Sequence, residues 1–432
     1  MAARKNKNIN KGAALLSFVF MLLFFVLIVR FGYIGATKHV EGKSLVNMAK
    51  EKWMAHENLQ AERGTIYDSR GVPLAENIPA YTVQAILSKK MPDHVKDPEK
   101  TAKKLAPILH MKKSRLLDLL TKKAFQVELG PGGRFISFEK MEKIKKLNLP
   151  GIDFIPQSKR DYPNQEFASY VLGFTARDPD TGKLKGIMGI EKELNQKLEG
   201  KSGSETYMSS RSGVKLPGGH EKKNPPQDGD NVYLTIDSHI QTYLNEAVSE
   251  TDKKYHPKWI KAVVMDPKTG KVLGMANRPS FNPNTRKITN FKNDIISHPF
   301  EVGSVMKIFT LAAAVDSGVY NGNATFKSGT YDVGGGTIHD WNNSGWGTIT
   351  FNDGLQRSSN VGFSILANKY IGFDRLYDYL MKFDFKKKTG IELPDEANSI
   401  FQYNVPIEKT TTAFGQGTAV TAMQLVKAAT AV

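Results

Sequence analysis

The stretch Phe300-Glu301-Val302-Gly303-Ser304-Val305-Met306-Lys307-Ile308-Phe309-Thr310-Leu311-Ala312-Ala313-Ala314-Val315 decides how the C-terminal half of the chain folds. From Ile308 to Val315 it contains no charge and no helix breaker, which is typical of a helix buried inside a large domain. Gly303 and Ser304 stand where such a helix begins, and Lys307 follows one turn later on the same face. The sequence therefore predicts a buried helix with a hydroxyl and an amine at its entrance.

Ser304 and Lys307 have the chemistry of an acylation centre. A serine hydroxyl is a poor nucleophile until a base removes its proton. A lysine that enters an apolar helix is desolvated, which disfavours its charged form and favours a neutral amine. The positive field at a helix N-terminus also favours a serine alkoxide and, later, an oxyanion. The alternative is that Ser304 only caps the helix while Lys307 extends to solvent.

Ser-x-x-Lys alone does not identify a site, because the chain contains it at Ser137–Lys140, Ser212–Lys215 and Ser304–Lys307. Only the third pair opens a long apolar helix. Ser212 lies in a Gly/Ser-rich stretch, and Ser137 lies beside charged residues. We therefore take Ser304 as the candidate nucleophile.

Composition limits the other function classes. The 432 residues correspond to roughly three domain-sized units. The absence of cysteine removes thiol catalysis, thiolate zinc sites and disulfides, and the nine histidines form no HExxH or i, i+4 pair, so we predict no metal and no cofactor. The net charge of +17 is spread out without a nucleic-acid-binding signature, so no nucleic-acid partner is predicted. Anionic lipids, anionic wall polymers or a solvated lysine-rich surface explain the charge.

The N-terminus predicts a membrane anchor. Gly12 to Val29 carries no charge, and with the residues that follow it is long enough for a bilayer that needs about 20 residues. Basic residues upstream predict a cytoplasmic N-terminus with the rest of the chain outside. The alternative is a cleaved signal peptide, but no clear small-x-small site follows closely. We expect a single-pass cell-membrane protein with a tail at 1–11 and an anchor at 12–35. The basic residues are Arg4, Lys5, Lys7 and Lys11.

Residues 36–223 read as a mixed α+β module without a catalytic cluster. Thr37–Gln60 is charged and predicts a helix or stalk, and two further stretches, Glu99–Ala106 and Lys113–Lys122, have helical spacing. The Gly/Ser-, Lys- and Pro-rich stretch 201–223 marks a boundary, so a second domain is predicted at 224–432.

The second domain carries further elements. Lys261–Asp266 and Val272–Ala276 predict strands joined by a turn, and Gly329–Ile338 predicts a hairpin. Gly354–Tyr370 and Phe373–Phe383 predict helices.

Ser358-Ser359-Asn360 is a second candidate motif, placed after a polar turn and beside a helix able to pack on the central one. A hydroxyl at Ser358 would relay a proton between Lys307 and a leaving amine. The Asn360 amide would hold Lys307 and a substrate carbonyl at once. The alternative is a polar cap at a helix junction, and a second Ser-x-Asn at Ser280–Asn282 shows that this pattern is weak alone.

Together these motifs resemble those of the penicillin-interacting serine transferases. The resemblance covers nearly the whole chain and is strongest to the monofunctional (class B) penicillin-binding proteins, in particular to the division-associated member of Gram-positive type. The stretches that carry it are Arg63-Gly64-Thr65-Ile66-Tyr67-Asp68, Gly186 to Glu191, Asp266 to Gly270, Asn277 to Phe281 and Phe414-Gly415-Gln416-Gly417.

The resemblance implies a D,D-transpeptidase that cross-links peptidoglycan stem peptides in septal wall synthesis and is acylated by β-lactams. It implies catalytic roles for Ser304, Lys307, Ser358 and Asn360, and division proteins as partners. Trp341 would line the rim of the groove or be a packing aromatic. The implied fold is α+β, with one transmembrane helix, an elongated pedestal and dimerisation module, and a transpeptidase domain of helices packed on an antiparallel sheet.

Three features depart from the family pattern. Val302 and Val305 stand where the family usually has proline and often has threonine. Lys-Thr-Gly occurs at Lys268–Gly270 and Lys388–Gly390, both in connecting segments, so neither is the family's third motif. We expect that motif on a strand beyond Val432, which would make this chain a truncated one with an incomplete site.

Two rival functions remain open at this stage. A β-lactamase or β-lactam sensor would use the same fold but would not need the anchor or the long module before residue 224. A membrane-anchored division scaffold with impaired catalysis would keep the module and tolerate the departures at Val302 and Val305.

Overall fold

A computed structural model describes residues 7–41, 43–45, 53–178, 182–209, 215–216 and 221–432. The chain divides into two units, one of residues 1–61 with 201–228 and one of residues 62–200 with 229–432. Arg4 and Lys5 of the predicted basic tail and Ser212 of the second Ser-x-x-Lys pair lie outside the described residues.

The first unit contains a long apolar helix and short antiparallel strands. Lys11–Thr37 of the helix has a mean hydropathy of 2.9 and is long enough to cross a membrane. The helix that was one of the two predictions for Thr37–Gln60, the other being a stalk, is wrong for Met54–Leu59. This segment is a strand because its backbone pairs with Gly203–Met208 over six positions. The elements are α1 Lys7–Thr37, β1 His39–Val40, β2 Lys43–Ser44, β3 Met54–Leu59, β10 Gly203–Met208 and β11 Lys222–Asn224.

The second unit mixes helices with strands that pair antiparallel, apart from the parallel pair β4–β12. Its strands are β4 Ile66–Tyr67, β5 Pro73–Ile86, β6 Gln126–Glu128, β7 Ile152–Asp161, β8 Phe174–Arg177, β9 Leu184–Met188, β12 Val232–Tyr233, β13 Ile260–Met265, β14 Val272–Arg278, β15 Phe300–Glu301, β16 Thr325–Lys327, β17 Thr330–Val333, β18 Gly336–His339, β19 Thr348–Thr350, β20 Ile400–Phe401 and β21 Thr418–Val420.

The helices of the second unit complete the predicted α+β fold class. They are α2 Pro98–Leu109, α3 Lys113–Leu120, α4 Phe138–Lys145, α5 Ser169–Leu172, α6 Gly189–Glu193, α7 Asn195–Leu198, α8 Ser238–Tyr255, α9 Asp294–Ser297, α10 Met306–Asp316, α11 Phe351–Gln356, α12 Asn360–Ile365, a π-helical turn Leu366–Ile371, α13 Phe373–Lys382, α14 Pro406–Thr412 and α15 Ala422–Ala429.

Residues 73–161 form a small sheet covered by helices. Strand β5 pairs with β7 over ten positions and with β6 at its end. The leucines of α2 and α3, spaced three and four apart, pack into one core with Val83 and Ile144. The predicted helices at 99–106 and 113–122 are therefore confirmed.

The hairpin β13–β14 is joined to helix α8 by side-chain hydrogen bonds. Its strands and turn are those predicted, with Gly270 at φ +71°. Helix α8 packs on it, and the buried side chain of Gln241 accepts a hydrogen bond from the backbone N–H of Met275 at 2.7 Å and donates one to its carbonyl at 3.0 Å.

The helix predicted at 354–370 is wrong as one element. The chain leaves the helix at Arg357 and begins α12 at Asn360, because Ser358 adopts a left-handed conformation with φ +55°. The hairpin predicted at 329–338 is confirmed as β17–β18.

A buried ion cluster joins the strands and helices around β4. Glu191 is fully buried and accepts hydrogen bonds from Arg63 Nε and Arg160 Nε, each at 2.7 Å. Three further polar residues complete the cluster: Arg63 donates to Asn195 at 3.0 Å, Arg160 donates to Asn77 at 3.2 Å, and the Tyr162 hydroxyl donates to Glu191 at 3.2 Å. Arg63 and Glu191 belong to two of the motifs that carry the family resemblance, so those motifs have a structural role here.

We expect Glu191→Gln to destabilise the protein by about 3–5 kcal/mol, because it leaves two buried guanidinium groups without their carboxylate. The free energy of unfolding from urea titration in detergent measures the effect. Glu193→Gln, on the exposed side of the same helix, is the matched control and should change it by less than about 0.5 kcal/mol. Equal stability of the two variants would contradict this role of the cluster.

Candidate active site

Ser304 lies in a tight turn that precedes α10. Residues Gly303–Val305 form a 3-10 turn in which Gly303 has φ +61°. The Gly303 N–H donates to the Gly415 carbonyl at 3.0 Å, and a Cβ on Gly415 would lie 2.1 Å from the Gly303 oxygen. Only glycine fits at 415, so the Phe414–Gly417 motif fixes the turn that presents the exposed Ser304 hydroxyl.

Lys307 places its amine at the centre of the predicted site. The side chain emerges from the first turn of α10 and is buried. Its Nζ lies 2.7 Å from the Ser358 carbonyl oxygen, 2.9 Å from Asn360 Oδ1, 3.0 Å from Ser358 Oγ and 3.2 Å from Ser304 Oγ. The structure thus brings together four of the five predicted site residues.

Burial shifts the protonation equilibrium of Lys307 toward the neutral amine. Burial lowers the pKa of the Lys307 amine from 10.5 to about 8, and the nearby Asp340 carboxylate partly opposes this shift. The centroid of the Phe363 ring lies 5.6 Å from Nζ, and this cation–π contact, like Asp340, favours the charged form. About a tenth of the molecules would therefore hold a neutral amine at pH 7.

Ser358 and Asn360 reach Lys307 because the chain turns sharply between α11 and α12. Ser358 Oγ donates to Ser304 Oγ at 3.0 Å, so the two hydroxyls and the amine form a closed triangle. The Asn360 side chain accepts from Lys307 and donates through Nδ2 to the His339 carbonyl at 3.1 Å.

Asp340 holds this turn in place, and sequence reasoning missed it. Its buried carboxylate accepts from Ser359 Oγ at 2.8 Å, from the Val361 N–H at 3.0 Å and from the Gly329 N–H at 2.9 Å. The signal available was an acidic residue between the predicted hairpin and Trp341, to which the sequence analysis assigned no role. Asp340 is a positioning residue, because the carboxylate touches the Ser358–Asn360 segment and acts on Lys307 through charge.

Trp341, the fifth predicted residue, lies next to this segment but does not contact Lys307. Its indole is 69% exposed, donates through Nε1 to the Arg357 carbonyl at 3.0 Å and packs against Trp346 at a ring-centroid distance of 5.9 Å. The position permits both predicted roles, at the rim of a groove or in packing.

The competing motifs have structural roles. Ser137 caps α4 by accepting from the Lys140 N–H. The turn at Lys268–Gly270 closes β13–β14, and the Thr389 hydroxyl donates to Glu396 in the loop before β20. In the described part of the chain no group of three or more His, Asp or Glu side chains is placed to hold a metal.

The departures from the family pattern fall on either side of Ser304. Val302 is buried in the core around α10, and Val305 is 45% exposed.

Two protein-family profiles match the chain. One describes a penicillin-binding protein dimerisation domain at residues 58–234, and the other a penicillin-binding protein transpeptidase domain at residues 260–432. The chain belongs to the class B penicillin-binding proteins.

Individual relatives agree with this assignment. The chain is 36% identical to stage V sporulation protein D of Bacillus subtilis, over 95% of this chain and 63% of that protein. It is 29% identical to the peptidoglycan D,D-transpeptidase FtsI of Escherichia coli K12, over 96% of this chain and 68% of that protein. The crystal structure of penicillin-binding protein 2X from Streptococcus thermophilus superposes with a TM-score of 0.70 at 31% identity, covering 87% of this chain and 59% of that one. The chain thus spans less than two thirds of the length of the sporulation relative.

We expect Asp340→Asn to lower the pKa of Lys307 below the wild-type value of about 8, because the negative charge that opposes the effect of burial is removed. A side-chain NMR titration of labelled lysine measures it. Ser359→Ala is the control, since it removes one hydrogen bond to the same carboxylate without changing its charge. A rise of the Lys307 pKa toward 10.5 in Asp340→Asn would mean that Asp340 only keeps the fold closed.

Proposed function

We propose that this protein is a peptidoglycan D,D-transpeptidase that works through a serine acyl-enzyme at Ser304. The observation that carries the proposal is the triangle of Ser304 Oγ, Lys307 Nζ and Ser358 Oγ, with contacts of 3.0 to 3.2 Å at an exposed helix entrance. Membership of the class B penicillin-binding proteins and the dimerisation and transpeptidase profiles support it.

The neutral Lys307 amine is the general base. A neutral amine has two N–H donors and one lone pair. The Ser358 carbonyl and Asn360 Oδ1 can only accept, so they take the two N–H groups and leave the lone pair for the Ser304 hydroxyl. The Ser304 oxygen then attacks the penultimate D-alanine carbonyl of a stem peptide while its proton passes to Lys307.

Ser358 carries the proton onward. Its hydroxyl contacts both Lys307 and Ser304, so it passes the proton from the ammonium to the nitrogen of the breaking peptide bond. Terminal D-alanine leaves with that proton and an ester remains on Ser304. An amine of a neighbouring stem peptide then attacks the ester carbonyl, its proton returns along the same path, and Ser304 is released with a new peptide bond.

Membrane placement follows from the N-terminal helix. A single pass through Lys11–Thr37, with the basic tail in the cytoplasm, would put both modules outside, where the wall is made. The predicted division at 223/224 is supported by the end of one profile at 234 and the start of the next at 260.

The cellular role within this chemistry is septal or spore-wall synthesis. The similarity to FtsI favours a division role with division proteins as partners, and the 36% identity to stage V sporulation protein D favours the same reaction in sporulation. The labelling experiment described next distinguishes an active transpeptidase, in either cellular role, from a catalytically impaired scaffold and from a β-lactamase.

We expect Ser304→Ala to abolish covalent labelling of the intact protein by fluorescent penicillin, because the ester can form only on that hydroxyl. Ser137→Ala and Ser212→Ala should label like the wild type, and both are controls for the other two Ser-x-x-Lys pairs. Labelling is read on a denaturing gel after short and long incubation. No labelling of the wild type would favour the scaffold, rapid loss of label would favour a β-lactamase, and undiminished labelling of Ser304→Ala would overturn the site.

A further inference from the structure

The segment between Leu87 and Leu149 carries an excess of positive charge. This stretch carries 16 of the chain's 60 Lys and Arg residues but only 7 of its 43 Asp and Glu residues. All but one of the sixteen cations are exposed. The proposed acylation chemistry uses none of them.

Three of these cations line one groove of about 490 Å³. They come from three separate segments: Arg115 from α3, Lys122 from the turn after α3, and Arg134 from the turn that follows β6. Leu119 and Val127 contribute apolar lining to the groove. A volume of this size is in the range of ligand sites.

The groove has one carboxylate, and it does not neutralise the cations. Glu128 pairs with Arg134 through Nε at 2.7 Å, which orients the guanidinium and leaves its two Nη groups without a partner among the described residues. Arg115 and Lys122 have no ion pair in the described part of the chain. Two guanidinium groups and an ammonium with free donors are suited to phosphate oxygens, which Arg binds in a bidentate manner.

Gly130 makes room for one of these side chains. A Cβ at this position would lie 3.1 Å from Arg134 Nε and 3.3 Å from its Cδ, so the arginine crosses the glycine at close range. The turn itself is pinned to β5, since the Val83 N–H donates to the Gly133 carbonyl at 2.7 Å and the Leu129 N–H to the Val83 carbonyl at 2.8 Å. The backbone that carries Arg134 is therefore fixed, and the pair with Glu128 orients its guanidinium.

Two further exposed cations adjoin the groove residues in the sequence. Lys123 follows Lys122, and Lys112 precedes α3 by one residue. A single phosphate would leave these cations unused, whereas a chain of phosphates would contact them in turn and release its counterions.

We propose that this groove binds a phosphodiester polyanion. The ligand is a polymer of repeating phosphodiesters, held by Arg115, Lys122 and Arg134, and it would tether the module to an anionic polymer at a site separate from Ser304.

Fluorescence anisotropy with the intact protein in detergent and a short fluorescein-labelled poly(glycerol phosphate) tests this proposal. We expect Arg115→Ala combined with Lys122→Ala to weaken binding about tenfold and to reduce the slope of log K against log salt by about 1 to 2. Both side chains are exposed, so folding should be unaffected. The control is Lys143→Ala combined with Lys146→Ala, which removes the same charge from exposed positions of the same module outside the groove.

Arg134→Lys separates a built site from general attraction, because it keeps the positive charge but removes the guanidinium that pairs with Glu128, and it should also weaken binding. Equal losses in the groove and control double variants, unchanged affinity in Arg134→Lys, or equally tight binding of polyglutamate would overturn the proposal in favour of non-specific charge. Preferential binding to phosphatidylglycerol vesicles, abolished by the groove variants, would overturn it in favour of a lipid surface.

Discussion

The rest of this site depends on one constraint: the buried Lys307 amine is surrounded by more oxygen atoms than it has N–H groups. Lys307 Nζ has four oxygen atoms within 3.2 Å, and two of them, the Ser358 carbonyl and Asn360 Oδ1, can only accept. Burying a charge is costly without a counter-charge in contact, and among the described residues no carboxylate lies within hydrogen-bonding distance of this amine. The neutral amine donates to both of these acceptors and keeps a lone pair. The protonation state that avoids burying a charge is therefore also the one that can take a proton from Ser304.

That arrangement survives only if the two chain segments around it are rigid. On one side Gly415 fits directly against Gly303 and fixes the turn of the nucleophile. On the other side the Asp340 carboxylate ties Ser359 and Val361 to the hairpin strand β17 through its neighbour Gly329. Serine acylation needs such preorganised contacts, because moving the reacting groups by about an ångström lowers the reaction rate strongly. The same carboxylate raises the pKa of Lys307 and so opposes the effect of burial. Asp340 therefore holds the site in place but reduces the fraction of neutral amine.

The sequence predicted the elements whose pattern is local. The apolar run 308–315, the leucine spacing of residues 99–122 and the turn at Gly270 depend on neighbours within a few positions, and all three elements formed as predicted. The expected burial of the apolar run is wrong at its two ends, because Ile308 and Val315 are exposed. It also named the four residues that meet at Lys307. It missed the break at Ser358, because a left-handed serine inside a helical pattern is stabilised by contacts far along the chain. Asp340 and the strand Met54–Leu59 were missed for the same reason: their partners lie 19 and about 150 residues away.

The central claim is that a neutral Lys307 activates Ser304, and the pH dependence of acylation tests it most directly. The second-order rate constant for acylation of the intact protein by penicillin should rise about tenfold per pH unit below an apparent pKa of about 8 and level off above it, because the fraction of neutral amine follows the same curve. A rate constant that is flat from pH 6 to pH 9, or that rises only as the pH approaches 10.5, would contradict the account.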